Sequence, residues 1–160
     1  MCRTVACCAV LLTTLSHAPV AAQEAVGFGD WRAFCAPVAG CVLGVKADPD
    51  NTLAFVEPPF EDGRLLLILR EPVVPGTDIA VSLDGQLVVT LGPADGWRVV
   101  DSAVGPAIQI APSIAREGLM EPMRRRNWFE ILYRTAGGDQ RRVTFSLNGY
   151  ADTRSYADDG

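Results

Sequence analysis

Most of the cysteine and histidine side chains, the residues most often used as nucleophiles, bases and metal ligands, lie at the amino end of this chain. The sequence has five cysteines and one histidine. Four of these six residues fall within the first 20 positions: Cys2, Cys7, Cys8 and His17. The rest of the chain has no histidine to act as a base and no Gly-x-Ser-x-Gly motif, which argues strongly against a serine hydrolase.

Cys35 and Cys41 are the two cysteines outside this stretch, and their spacing predicts a disulfide bond. Pro37 and Gly40 lie between them and can turn the chain, so that the two Cα atoms come within about 7 Å. Two buried free thiols are the alternative. A zinc site is disfavoured, because no histidine or second cysteine pair is left to complete four ligands.

The first 22 residues have the layout of a cleaved export signal. Arg3 supplies the positive start, residues 4–15 are apolar and uncharged, and Val20-Ala21-Ala22 offers small residues for cleavage after Ala22. The apolar run is about 12 residues long, whereas a membrane span needs about 20. We therefore predict a signal peptide at 1–22 and one exported domain at 23–160, in the periplasm or at the cell surface, where a disulfide is stable.

The charge balance excludes several classes of partner. Removing Arg3 leaves 13 basic against 19 acidic residues, a net charge of −6. An acidic domain is a poor match for nucleic acid or for an anionic membrane surface. No later segment is apolar for long enough to span a bilayer.

The hydropathy pattern predicts an all-β antiparallel sandwich. Inward and outward residues alternate at 31–35 and 41–46, and the apolar run 65–69 fits a central strand covered on both faces. Asp84-Gly85 predicts a two-residue hairpin turn, and residues 128–147 predict a final hairpin. Helix signals are weak throughout the chain.

We expect at most one short helix, which would lie between residues 113 and 127. Glu121 followed by Pro122 suits a helix start there. Residues from about 151 onward are polar and are expected to form a tail.

Acidic pairs are the candidates for chemistry without histidine. Glu61-Asp62 could act in glycan cleavage with a distant partner, although exposed turn acids are the commoner explanation. Asp48-Pro-Asp50-Asn51 resembles part of a calcium loop, but it lacks the full spacing and the distal Glu, so a solvated turn is expected. We predict no catalytic residue, no metal site and no cofactor.

One basic concentration is the candidate for partner binding, with an adjacent tryptophan. It consists of Arg124, Arg125, Arg126, Trp128, Arg141 and Arg142. These residues could hold an acidic envelope protein or an acidic glycan. The alternative is a solvated face paired with acids such as Glu121 and Glu130. Trp31, Trp97 and Trp128 could stack on sugars, although core or edge packing is the commoner role of aromatic residues in a small sandwich. At most one of them, Trp128, is expected to serve in binding.

The opening Gly27-Phe-Gly-Asp-Trp-Arg-Ala-Phe-Cys35 resembles the Gly-Asp-Trp-x-x-x-Cys of invasion-associated locus B proteins, exported bacterial proteins with a second cysteine nearby. The strand 128–133 and the ending Val143-Thr-Phe-Ser-Leu-Asn-Gly-Tyr150 are similar to that family's closing strands. The resemblance implies an immunoglobulin-like β-sandwich in the periplasm or at the cell surface.

The sequence therefore predicts a non-enzymatic exported envelope protein that binds a protein or glycan partner. Two alternatives stay open: a glycan-processing enzyme that uses carboxylates, and a periplasmic carrier that holds a small ligand between its sheets. The oligomeric state is not predicted.

Overall fold

The structure is a computed structural model that describes residues 25–36, 40–56, 64–102 and 105–159. The predicted signal peptide and its cleavage site lie outside these ranges, as does Glu61-Asp62. Eleven strands lie within them: β1 Val26–Phe28, β2 Trp31–Ala36, β3 Gly40–Asp48, β4 Asn51–Val56, β5 Arg64–Ile68, β6 Ile79–Leu83, β7 Gln86–Leu91, β8 Trp97–Ser102, β9 Gly105–Ile110, β10 Trp128–Arg134 and β11 Gln140–Ser146.

The strands form two antiparallel sheets, which confirms the predicted all-β sandwich. The larger sheet has seven strands in the order β1-β2-β3-β4-β5-β9-β8, and the smaller has four in the order β11-β10-β6-β7. The apolar strand β5 lies between β4 and β9, and its Leu65, Leu66 and Leu67 are all buried.

Both predicted hairpins are present. Asp84 and Gly85 have φ values of 50° and 77°, and they join β6 to β7 as a tight turn. Phe129, Ile131 and Phe145 are buried on the inner face of the β10–β11 hairpin. The alternation of residue types in these strands therefore defines the face that enters the core.

The predicted disulfide is also present. Cys35 and Cys41 face each other across β2 and β3, with their Cα atoms 4.0 Å apart. The bridge joins two neighbouring strands of the larger sheet.

Helical structure occurs in two places. A π-helical segment, Ile114–Met120, continues directly into a single turn of α-helix, α1 Glu121–Met123, with Pro122 in its first turn as expected. A second helix, α2 Tyr150–Asp159, occupies the segment that composition suggested was a polar tail. Its inner side buries only Tyr150 and Thr153, which is too few apolar positions to produce a clear helical pattern.

An aromatic cluster joins α2 to the sheets. The ring of the fully buried Tyr150 lies 4.9 Å from Trp31 of β2 and 5.6 Å from Phe55 of β4. The indole Nε1 of Trp31 donates a hydrogen bond of 2.9 Å to the carbonyl oxygen of Ser146 in β11. This bond connects the larger sheet to the smaller one.

No helix in the described part of the chain is long and apolar enough to cross a membrane.

We predict that Gly149→Ala destabilises the protein more than Gly138→Ala. Both glycines have positive φ, 88° and 91°, so alanine costs about 1–2 kcal/mol at either position. A Cβ at Gly149 would also collide with the carbonyl group of Phe28, whereas nothing lies within 4 Å of one at Gly138. Melting temperatures measured by circular dichroism should fall in that order, and equal losses would show that the Phe28 contact is unimportant.

We also predict that Tyr150 makes the protein sensitive to alkali. Burial raises the pKa of its phenol far above the usual value, whereas the unfolded chain ionises near pH 10. Its stabilising contribution is therefore complete below about pH 10 and is lost as pH rises further. The free energy of unfolding can be measured with urea at about pH 8 and at about pH 11. It should fall less between these two pH values for Tyr150→Phe than for the wild type.

Tyr156→Phe is the control for this measurement, because Tyr156 is exposed. Its pH dependence should match that of the wild type. The explanation fails if Tyr150→Phe and Tyr156→Phe respond to alkali in the same way.

Candidate functional site

The predicted basic cluster begins at the end of α1, and each of its arginines lies near an acid. Arg124 contacts Asp158 of α2 at 3.1 Å and Glu121 at 3.6 Å. Arg125 contacts Glu121 at 3.6 Å. With 82% of its side chain exposed, Arg125 is the most open of the three.

Arg126 lies 3.9 Å from Asp84, in the turn between β6 and β7. The same Asp84 carboxylate accepts hydrogen bonds of 2.9 Å from the backbone N–H groups of Asn127 and Trp128. The arginine segment is therefore held against the smaller sheet at the start of β10.

Arg141 and Arg142 lie at the other end of the same hairpin. In the β10–β11 register Arg141 faces Tyr133, whereas Trp128 faces Ser146. Arg141 is thus about five residues along the strands from Trp128, or roughly 17 Å, and the first arginine group precedes Trp128 in the chain. Arg141 contacts Glu71 at 3.2 Å, and Arg142 lies 3.9 Å from Glu130. The structure does not join the predicted residues into one basic patch.

The three tryptophans differ in their exposure. Trp31 and Trp97 are buried, and the indole of Trp97 donates to the Thr77 carbonyl at 3.1 Å. Trp128 is 49% exposed. It is therefore the tryptophan available to an external molecule.

Trp128 also lines an apolar groove, which sequence analysis did not predict. The groove has a volume of about 860 Å³ and lies mainly against the outward face of the larger sheet. Its apolar walls come from β2 to β5: Phe34, Val42, Ala54, Val56, Leu66 and Ile68.

The strand register explains the shape of this groove. Phe34 pairs with Val42, and Val42 pairs with Val56, so three apolar side chains form one row across β2, β3 and β4. In the next row Gly44 pairs with Ala54. The small side chains of that row leave a depression beside the larger ones.

Polar and charged side chains also line the groove. Arg32 lies beside Gly44 and donates to the carbonyl oxygens of Gly29, at 3.0 Å, and Trp31, at 2.8 Å. Lys46 also lines the groove, and the Ser146 hydroxyl donates to Asp30 at 2.6 Å. The groove can therefore accept both apolar and polar groups.

One sequence signal could have identified the groove. In a sheet with one solvated face, outward positions are usually polar. Phe34 and Val42 occupy outward positions, and both are exposed, Phe34 to 50%. Apolar residues at outward positions on adjacent strands are the pattern expected of a binding face.

The turn at Asp48-Pro-Asp50-Asn51 lies beside a polar cleft of about 430 Å³. The Asp48 carboxylate accepts hydrogen bonds from the backbone N–H groups of Asp50 and Asn51, each 2.9 Å, and from the Asn51 side chain at 2.7 Å. These donors stabilise a turn and occupy oxygens that a calcium ion would need. Residues 49 and 50 form the expected turn.

The same donors hold the pKa of Asp48 below its usual value, the side chain of Asn51 contributing most. A glycosidase acid needs a raised pKa, so Asp48 is poorly suited to that role. Within the described ranges, no group of three or more His, Cys, Asp or Glu side chains could hold a metal ion.

Comparison with known proteins shows that the fold of this chain is similar to that of a solved structure. No family model matches the chain, and no curated protein matches it at a significant level. Among solved structures, the crystal structure of invasion-associated protein B from Bartonella henselae is similar, with a TM-score of 0.67 and 11% sequence identity. The match covers 86% of this chain and 97% of that protein. This neighbour supports the resemblance predicted from the opening and closing motifs at the level of fold alone.

Proposed function

We propose that this chain is an exported, non-enzymatic cell-envelope protein that binds a partner protein in the groove lined by Phe34, Val42 and Trp128. The observation that carries the proposal is the row of apolar residues on the outward face of the larger sheet. Contiguous exposed apolar surface on an otherwise acidic domain marks an interaction site.

The composition of the groove favours a protein partner over a glycan. Sugars are usually held by aromatic faces combined with several polar groups. Here most of the apolar side chains in the walls are aliphatic, from Val42, Val56, Leu66 and Ile68. Apolar side chains of a partner suit such walls, and polar groups of the same partner can reach Arg32 and Lys46, which also line the groove.

Export is supported by the leader-like residues 1–22 and by the Cys35–Cys41 bridge. We propose the periplasm or the cell surface as the location. The similar structure is named for invasion, but at 11% identity the likeness concerns the fold. We therefore make no claim for this chain about host cells.

A small-ligand carrier is the second candidate, because the groove volume is typical of sites for small molecules. Its ligand would lie on the outside of the larger sheet. The space between the sheets is filled by buried side chains, among them Leu43, Leu67, Ile110 and Phe129. The proposed alternative is thus an external carrier and not one that encloses its ligand.

The proposal is tested by capture from envelope extract, using protein expressed from the full chain with its leader. The Phe34→Asp/Val42→Lys variant should lose a partner that the wild type retains, because the new charges, which face each other with opposite sign, oppose burial of an apolar surface. Both residues are exposed, so the melting temperature should stay near the wild-type value. Partners are identified by mass spectrometry.

Arg125→Ala/Arg126→Ala is the control that separates the groove from the basic cluster. It should keep the same partner. Loss of the partner in this variant, with retention in the groove variant, would assign binding to the arginines instead. A melting-temperature rise with a fatty acid, absent in the groove variant, would favour the carrier.

A further inference from the structure

The described chain has four sheet-edge strands: β1 and β8 in the larger sheet, and β7 and β11 in the smaller one. An edge strand presents unpaired N–H and C=O groups, which can pair with a strand of another chain. Natural proteins suppress this with short edges, charged side chains, proline or bulges. The four edges can therefore be compared by the protection each one carries.

Three of these edges are protected. β1 has only three residues, Val26–Phe28. β8 carries Arg98 and Asp101. β11 carries Arg141 and Arg142, and it also contacts β3 of the other sheet.

β7 differs from the other edges. Its sequence, Gln86–Leu91, has no charged residue and no proline in six positions. Leu87 is 65% exposed, and Val88 is also exposed. The π-helical segment contacts this strand and Leu91 is buried, whereas Gln86, Leu87, Val88 and Thr90 are exposed.

A β-bulge orients the exposed leucine. Val81 pairs with Val89 but Ser82 pairs with Leu87, so Val88 is an extra residue. Paired residues share a face of the sheet, and Thr90 pairs with Ala80. Leu87 and Thr90 therefore lie on the same, outward face as Ser82 and Ala80. The bulge that could protect this edge instead places an apolar side chain in solvent.

We propose that β7 pairs with β7 of a second copy of this chain, antiparallel across a two-fold axis. The two smaller sheets then become one eight-stranded sheet. In a pairing centred between Val88 and Val89, Leu87 of one copy lies opposite Thr90 of the other, both on the outward face. The strand is thus complementary to itself in side-chain orientation.

A second copy of the chain suits the free edge of β7 because this strand carries no charged residue. Self-pairing of β7 brings no charged side chain into the contact, whereas self-pairing of β8 would place Arg98 and Asp101 in it. An isologous contact of this kind also uses up both edges, so assembly stops at the dimer.

The contact is small. A six-residue strand is about 20 Å long, and a standard interface buries roughly 800 Å² on each partner. We therefore expect a dimer that forms as concentration rises and dissociates on dilution.

The test is sedimentation velocity of protein expressed with its leader, from about 1 µM to about 1 mM. The wild type should shift from monomer to dimer over this range. Leu87→Lys/Thr90→Lys should remain monomeric, because lysines on an edge strand repel one another in the pairing. Val99→Lys on β8, where Val99 is 56% exposed, should dimerise like the wild type.

Hydrogen–deuterium exchange of the wild type gives a second test that needs no variant. Amides of Gln86–Leu91 should gain protection as concentration rises, whereas those of β8 should not. A wild type that stays monomeric, a dimer unaffected by the two lysines, or equal disruption by Val99→Lys would overturn the proposal. So would unchanged exchange in β7.

Discussion

The contact between Trp31, Phe55 and Tyr150 is the interaction on which the rest of this fold depends. These fully buried rings come from β2, β4 and α2, and the Trp31 indole reaches the Ser146 carbonyl of the other sheet. A buried aromatic ring contributes a large apolar area, and the indole N–H needs a partner when it is taken out of water. One cluster therefore holds the larger sheet, the smaller sheet and the last helix together.

The groove arises because the same strands that fill the core also carry apolar residues on the opposite face. Leu43 and Phe55 point into the sandwich, whereas Val42 and Ala54, their neighbours in sequence, point away from it. An apolar residue at an outward position stabilises nothing inside the core. Phe34 and Val42 thus lie outside the core, in the groove that we propose as the binding site.

The charged surface follows a different principle. Arginines that are close in sequence, such as Arg124 and Arg126, are separated by their acidic contacts, with Asp158 and Asp84 respectively. Exposed pairs of this kind contribute about 0–1 kcal/mol each. These acidic contacts lower the local positive potential. The apolar groove then differs from the charged surface around it in polarity.

Local patterns in the sequence were enough to predict the sandwich, the Asp84-Gly85 turn and the Cys35–Cys41 bridge. Each of these depends on neighbouring residues, through alternation, turn preference or spacing. Helix α2, the groove and the bare edge of β7 were decided only by tertiary structure. Strand order and register determine which outward residues become neighbours and which of the described strands lie at a sheet edge. Strand order and register in turn depend on contacts between residues that are distant in the chain.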